Sequence, residues 1–115
     1  MNKLWNVLSW NIRGINSDAK LLALRNAIDT SGCSVLCIQE TKRESFDLAF
    51  IKTFCPKRFN NFVFAPSVGA SGGLIIIWNS SVFVGMPWHV DSFVVGVSFA
   101  ATQSSETWKL INVYG

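Results

Sequence analysis

Two polar residues stand at the ends of apolar runs near the start of the chain, and their side chains could take part in chemistry. Asn11 follows one such run in the stretch LSWNIRG, and Glu40 follows another in the stretch CIQETK. A carboxylate at the end of a buried strand is either a solvent-facing strand terminus or a ligand for a hard cation. An amide there can donate to a phosphate oxygen, hold the carboxylate in place, or close an Asx turn. The residue types leave both interpretations open.

The chemical interpretation of these two residues is a magnesium and phosphate site. Mg²⁺ is usually held by one or two carboxylates together with phosphate oxygens and waters, so Glu40 beside the Asn11 amide would be an adequate start. Two cations, Arg13 and Lys42, each follow one of these residues within two positions. They could contact phosphate groups of a ligand or simply face solvent.

The elements around these residues predict that they meet. Apolar runs predict strands over residues 4–10 and 35–39, and the spacing of Leu21, Leu24 and Ile28, widened by Leu22, predicts a helix over 17–30 between them. Ser17 lies in the cluster expected to cap this helix at its start, and Gly32 is its expected C-cap. Neighbouring strands of one sheet would bring Asn11 and Glu40 to the same edge, where ligand groups tend to gather.

The rest of the chain predicts a short helix followed by antiparallel strands. Apolar residues before Pro56 predict a helix over 45–54. Beyond it, Gly, Pro, Asn and Ser separate five apolar runs, which predict strands over 62–65, 74–78, 82–84, 93–99 and 108–113. We expect the stretch SGG before residue 74 to form a tight turn, with close approach to a backbone phosphate as the alternative. Most of the five tryptophans are expected in the core, with stacking on bases as the alternative.

Composition and charge narrow the class of protein. Half of the 115 residues are hydrophobic and 15% are charged, which is typical of a folded globular chain. The net charge of +3 favours an acidic partner such as nucleic acid without requiring one. Three cysteines without the paired spacing of a zinc site predict reduced, buried thiols. With no signal peptide or membrane segment apparent, we expect a location in the nucleus or cytoplasm and not secretion or membrane insertion.

Four stretches occur in an order that resembles a known superfamily. These are SWNIRGIN, CIQETK, SGGLIIIW and INVYG. Together they resemble the endonuclease/exonuclease/phosphatase superfamily, and most closely the apurinic-like endonuclease domain of plant LINE-type retrotransposons. The resemblance spans the whole chain. It implies that residues 1–115 are the N-terminal half of an α/β domain, a four-layered sandwich of the DNase I-like type.

The resemblance also implies an activity and a set of site residues. The activity is cleavage of a phosphodiester bond of DNA with Mg²⁺, or with Mn²⁺ as the alternative ion. The family's metal-ligating Glu corresponds to Glu40, and its Asn, which helps to organise metal and phosphate, corresponds to Asn11. The Tyr near the scissile phosphate corresponds to Tyr114. The family's later Asp-x-Asn and Asp-His motifs do not occur in the chain. Its single histidine, His89, is expected to have no catalytic role.

Three functions therefore stay open from the sequence. The first is DNA cleavage by the complete domain, with this chain inactive on its own. The second is a non-catalytic remnant of a retrotransposon endonuclease, which the missing motifs favour for the chain as given. The third is a phosphoinositide or sphingolipid phosphoesterase of the same superfamily, because the first half of the domain carries the shared metal machinery and says little about substrate. The isolated chain is also expected to be poorly soluble, because half a sandwich leaves apolar surface uncovered.

Overall fold

The computed structural model describes residues 7–114, which form two β-sheets and two helices. The elements in chain order are β1 (Val7–Asn11), α1 (Asp18–Ser31), β2 (Val35–Gln39), α2 (Leu48–Ile51), β3 (Asn61–Val68), β4 (Ser71–Trp78), β5 (Phe83–Val90), β6 (Val94–Ala101) and β7 (Thr107–Val113). The first sheet has the strand order β1-β2-β4-β3, and the second has the order β5-β6-β7. Strands β1 and β2 are parallel, and the other pairings are antiparallel. This mixed α+β arrangement of two sheets agrees with the predicted fold class.

Local signals define α1. The Ser17 hydroxyl accepts a hydrogen bond from the Lys20 N–H at 3.5 Å, and Gly32 ends the helix in the left-handed conformation with φ 61°. Both caps were predicted. Leu22 is 58% exposed, so its predicted place on the apolar stripe is wrong. Each helical residue is rotated by about 100° from the one before, which turns Leu22 away from the face that buries Leu24.

Strand β4 lies between the two cores of the protein. Its side chains alternate, so that Ile75 and Ile77 pack against the helices, whereas Ile76 and Trp78 pack against the second sheet. Because both faces of β4 are covered, its sequence is a continuous apolar run without polar alternation. The inter-sheet core is aromatic, with the rings of Trp78 and Phe99 in edge contact at 5.4 Å.

Helix α2 and the turn after β3 lie at other residues than predicted. Helix α2 begins only after Asp47, whose carboxylate accepts from the Phe50 N–H at 2.8 Å, because Phe46 instead packs its ring edge-on against Phe64. The predicted turn at residues 71–73 is wrong. The turn lies at residues 69–70, and residues 71–73 already belong to β4, where Ser71 and Gly72 pair with β3.

Strand β5 is longer than expected because it is an edge strand. It continues through Pro87, where a bulge accommodates the missing N–H. Trp88 on this strand is 47% exposed, so the core position expected of most tryptophans does not hold for it. The start of the first predicted strand, with Trp5, lies outside the described residues. Within the described residues, no helix is long and apolar enough to cross a lipid bilayer.

Candidate functional site

The ends of the parallel strands β1 and β2 are joined by their backbones. Asn11 lies opposite Gln39 in the register, and the pairing continues past both strands. The N–H of Gly14 donates to the Glu40 carbonyl at 2.7 Å, and the N–H of Ile15 donates to the Thr41 carbonyl at 2.9 Å. The prediction that Asn11 and Glu40 reach the same sheet edge is therefore confirmed.

The backbone at this edge is strained. Among residues 7–114, positive φ angles at non-glycine residues occur at three positions: Arg13 at 52°, Glu40 at 53° and Lys42 at 54°. All three are residues that the sequence marked as candidates for the site. A left-handed conformation costs a residue with a Cβ about 1 kcal/mol or more, and it persists where surrounding contacts enforce it. Here the hydrogen bonds between the two strand ends hold the backbone in this conformation.

The side chains of Asn11 and Glu40 are available to a ligand. Asn11 is exposed and Glu40 is half-buried. Within the described part of the chain, no Lys, Arg or His forms an ion pair with the Glu40 carboxylate. No group of three or more His, Cys, Asp or Glu side chains is close enough there to enclose a metal. One carboxylate beside one amide suits Mg²⁺, which retains waters and binds substrate phosphates, better than it suits Zn²⁺ or Ca²⁺.

Two glycines bring β4 against the segment that carries Glu40. The N–H of Thr41 donates to the Gly73 carbonyl at 3.1 Å, and the N–H of Lys42 donates to the Gly72 carbonyl at 2.9 Å. A Cβ on Gly73 would collide with the Thr41 hydroxyl and lie 3.1 Å from the Lys42 nitrogen. Gly73 also has a φ of 94°, which side chains rarely allow. Glycine is therefore required for this close approach.

Tyr114 adjoins the same two glycines. It directly follows β7, and its N–H donates to the Phe93 carbonyl at 2.8 Å. Tyr114 lines a cavity of about 320 Å³ together with Gly72 and Gly73. Because the same two glycines bond to the segment after Glu40, the fold brings the third predicted site residue to the same region. Arg13 and Lys42 are both exposed at its border.

Asn112 is a structural member of this region that sequence reasoning missed. Its side chain is fully buried between the sheets. The amide nitrogen donates to the carbonyls of Ile38 at 3.0 Å and Ile75 at 3.1 Å, and the amide oxygen accepts from Gln39 Nε2 at 2.9 Å. The available signal was its position in β7, because Asn112 occurs where the alternation of Trp108 and Leu110 predicts an inward-facing apolar residue.

Burial lowers the reactivity of two of the three cysteines. All three are buried and free, as predicted. Burial raises the pKa of the Cys37 thiol to about 11, against the smaller lowering effect of its hydrogen bond with Gln39. Burial also raises the pKa of Cys55. Neutral thiols are poor nucleophiles and poor metal ligands.

His89 lies in β5 and belongs to a turn motif. It forms a hydrogen-bonded pair with Asp91, with Nε2 and Oδ2 2.6 Å apart. The hydrogen bond from His89, followed by those from the N–H groups of Phe93 and Val94, lowers the pKa of Asp91. Within residues 7–114, no hydrogen bond or ion pair links His89 to Asn11, Glu40 or Tyr114. The absence of a catalytic role for His89 stays a prediction.

Three solved structures share this fold. The AP endonuclease LMAP from Leishmania major is 21% identical with a TM-score of 0.64, and the match covers 94% of this chain and 39% of that one. The 3′ phosphatase NExo from Neisseria, bound to a product DNA hairpin, is 16% identical with a TM-score of 0.60, covering 94% and 40%. The APE2 catalytic domain from Xenopus laevis is 18% identical with a TM-score of 0.61, covering 94% and 44%.

The chain thus spans about two fifths of the length of these structures, and a partial domain fits the comparison. No curated protein matches it significantly. Residues 8–113, which are nearly the whole chain, match the Endonuclease/Exonuclease/phosphatase family. The chain belongs to the endonuclease/exonuclease/phosphatase family.

Proposed function

We propose that this chain is the N-terminal, metal-binding part of a Mg²⁺-dependent DNA endonuclease of the retroelement type. One observation carries the proposal. Glu40 is held in a left-handed conformation at the end of a buried strand, beside Asn11, and has no ion-pair partner among the described residues. An unpaired carboxylate held at an energetic cost is expected where a protein needs that group for a ligand. Mn²⁺ is the alternative ion.

Each site residue has a role in this proposal. Glu40 binds the metal, and Asn11 orients the scissile phosphate or the metal-bound carboxylate. Tyr114, beside Gly72 and Gly73, contacts the phosphate. When bound, the metal would neutralise charge that develops on the phosphoryl oxygens during cleavage. Arg13 and Lys42 contribute positive charge toward the DNA backbone.

We propose further that the chain does not cleave DNA alone. Hydrolysis needs a base that activates water, and such a base contributes about 10² to 10⁴ in rate. The Asp-x-Asn and Asp-His motifs expected to do this are absent from the 115 residues. A longer polypeptide that contains them would be the active form. If no such polypeptide exists, the chain is a non-catalytic remnant that retains the metal and phosphate groups.

DNA is favoured over a lipid phosphoester by two observations. The similar structures include two AP endonuclease-type proteins and a 3′ phosphatase bound to DNA. The net charge of +3 suits a polyanion. The retroelement assignment depends on the likeness of SWNIRGIN and INVYG to that branch of the superfamily.

The test compares two carboxylates four residues apart. Glu40→Gln and Glu44→Gln are made in the longest polypeptide that the transcript encodes, and nicking of supercoiled plasmid is measured with Mg²⁺. Glu44 is the matched control because it is exposed and lies outside the strand-end pairing. We expect Glu40→Gln to lower the nicking rate by at least about a hundredfold and Glu44→Gln to leave it unchanged. Equal rates for the two variants would remove Glu40 from the mechanism.

The metal site can be tested in the 115-residue chain itself. Mn²⁺ binding is followed by electron paramagnetic resonance, which measures the concentration of unbound Mn²⁺ and does not depend on DNA cleavage. We expect Glu40→Gln to weaken Mn²⁺ binding and Glu44→Gln to retain it. Wild-type protein that binds no Mn²⁺ even with DNA present would contradict the proposed metal site.

A further inference from the structure

A cavity adjoins the candidate metal site and has an aromatic wall. Its volume is about 320 Å³, which is at the lower end of the range for small-molecule sites, roughly 300 to 1,000 Å³. Val68, Gly72 and Gly73 of the β3–β4 hairpin form one side. Phe93 of the β5–β6 turn and Tyr114 form the other. The opening therefore lies between two turns, one from each sheet.

Phe93 is exposed at this opening although its backbone is firmly held. Its side chain is 63% exposed. Its N–H donates to Asp91 Oδ1 at 2.8 Å, and its carbonyl accepts from the Tyr114 N–H at 2.8 Å. The other oxygen of Asp91 is bonded to His89. Val68, which lines the same cavity, is 65% exposed, and exposed apolar side chains that adjoin one another indicate a contact surface.

The walls of the cavity suit a flat, partly polar ring. The rings of Phe93 and Tyr114 are 6.3 Å apart and inclined by 39°, and the exposed part of the Phe93 side chain is accessible for stacking. The opposite wall is mostly apolar, and the hydroxyl-bearing residues Ser71 and Ser92 also line the cavity. An aromatic face stacks on any nucleobase, and hydroxyls can bond to the polar base edge.

The position of the cavity also fits a nucleotide. Gly72 and Gly73 form part of its wall, and their carbonyls accept hydrogen bonds from the N–H groups of Lys42 and Thr41, next to Glu40. A DNA strand with one phosphate at Glu40 could place the neighbouring base in the cavity beside these two glycines. The Lys42 side chain is exposed beside these glycines, where it could contact the phosphates of the bound DNA strand.

We propose that this cavity binds one unpaired nucleobase of a DNA strand, stacked on Phe93, next to the phosphate held at Glu40. This inference deepens the proposed function and rests on it. It makes Phe93 a specificity-determining residue that favours frayed or single-stranded target sites.

A second exposed aromatic residue provides a matched control. Trp88 is 47% exposed on β5, but it does not line the cavity. Its ring instead lies over Gly96 and 5.6 Å from the Lys109 ammonium. If any exposed aromatic ring were sufficient for binding, replacing Trp88 would weaken binding as much as replacing Phe93.

The experiment measures base binding without catalysis. A single-stranded oligonucleotide with one 2-aminopurine is titrated with the full chain in EDTA, and its fluorescence reports stacking. Phe93→Ala, Phe93→Trp and Trp88→Ala are compared, with circular dichroism as the check on folding. A matched oligonucleotide with an abasic site in place of the 2-aminopurine, followed by anisotropy of an end label, tests whether the base itself is needed.

We expect Phe93→Ala to weaken binding about tenfold and to abolish the quenching of 2-aminopurine. Phe93→Trp should retain both, Trp88→Ala should match the wild type, and the abasic strand should bind about as weakly as the Phe93→Ala variant. Equal binding by Phe93→Ala and wild type, or of the abasic and intact strands, overturns the base site. Because the titration contains no metal, intact quenching together with equal nicking rates for Glu40→Gln and Glu44→Gln in the longer polypeptide would count against the proposed nuclease function alone.

Discussion

Gln39 Nε2 donates a hydrogen bond to Asn112 Oδ1 at 2.9 Å and so links the two sheets. Gln39 directly precedes the candidate metal ligand Glu40, and Asn112 lies two residues before Tyr114. Asn112 also bonds to β2 and β4 through their carbonyls. This single buried amide therefore holds the two halves of the candidate site in a constant relation.

Replacing Asn112 by Ala should lower the free energy of unfolding by about 3 kcal/mol. The change removes a hydrogen bond from each of two buried carbonyls, and each unsatisfied buried group costs roughly 1 to 3 kcal/mol. The Gln39 amide keeps its hydrogen bond to the Cys37 carbonyl at 3.1 Å. Urea denaturation measures the effect. Asn26→Ala, on an exposed part of α1, is the control and should change stability by less than about 0.5 kcal/mol. Similar losses for both variants would show that the bridge is not important for stability.

Glu40→Gly should stabilise the protein by up to about 1 kcal/mol while removing metal binding. Glycine adopts the φ of 53° without steric strain, and this relief outweighs its greater freedom in the unfolded chain. Glu44→Gly, at a position without positive φ, should be neutral or destabilising. Thermal or urea unfolding of both variants tests the prediction. A destabilised Glu40→Gly would mean that the left-handed backbone stores no strain.

Two glycine substitutions separate steric collision from backbone strain. Gly73→Ala should destabilise the protein by more than about 2 kcal/mol, because its Cβ meets Thr41 and its φ is 94°. Gly69 has a φ of 61°, and the methyl group of a Gly69→Ala variant would lie in open space. It should cost only about 1 kcal/mol, the strain alone. The difference between their unfolding free energies gives the cost of the contact, and equal costs would contradict it.

The Asp91 carboxylate should make stability depend on pH in the acid range. Hydrogen bonds lower its pKa in the folded state. Its contribution is therefore present above the ordinary Asp pKa of about 4 and is lost as the pH falls through the lowered value. Comparing unfolding at pH 6 and at pH 2 to 3, we expect wild type to lose more stability than Asp91→Asn. Parallel pH profiles would contradict the role of the carboxylate.

Local physical rules made much of the first forty residues predictable. The N-cap at Ser17, the left-handed Gly32 and the strand that ends before Glu40 depend on interactions within a few residues of each position. Asn11 and Glu40 could also be assigned to one sheet edge. A helix between two strands predicts that the two strands pair in parallel, so that both strands end at the same edge. Family motifs added roles for these residues, and those roles stay predictions.

Other features depended on partners that are distant in the chain. The turn after β3 lies at Gly69 and not at residues 71–73, because those residues already belong to β4 beside Thr41. The inter-sheet bridge of Asn112 joins residues more than seventy positions apart. The positive φ of Glu40 results from backbone hydrogen bonds to a neighbouring loop. Sequence periodicity contains no information on such contacts.

The sequence by itself determined the family, the order of most elements and the two strand ends where chemistry is expected. Tertiary structure alone decided that Tyr114 adjoins the two glycines that are bonded to the segment after Glu40, and that Phe93 is exposed at the cavity beside them. The physical reason is the range of the interactions. Caps and apolar alternation act over a few residues, whereas a cavity exists only when turns from two sheets meet.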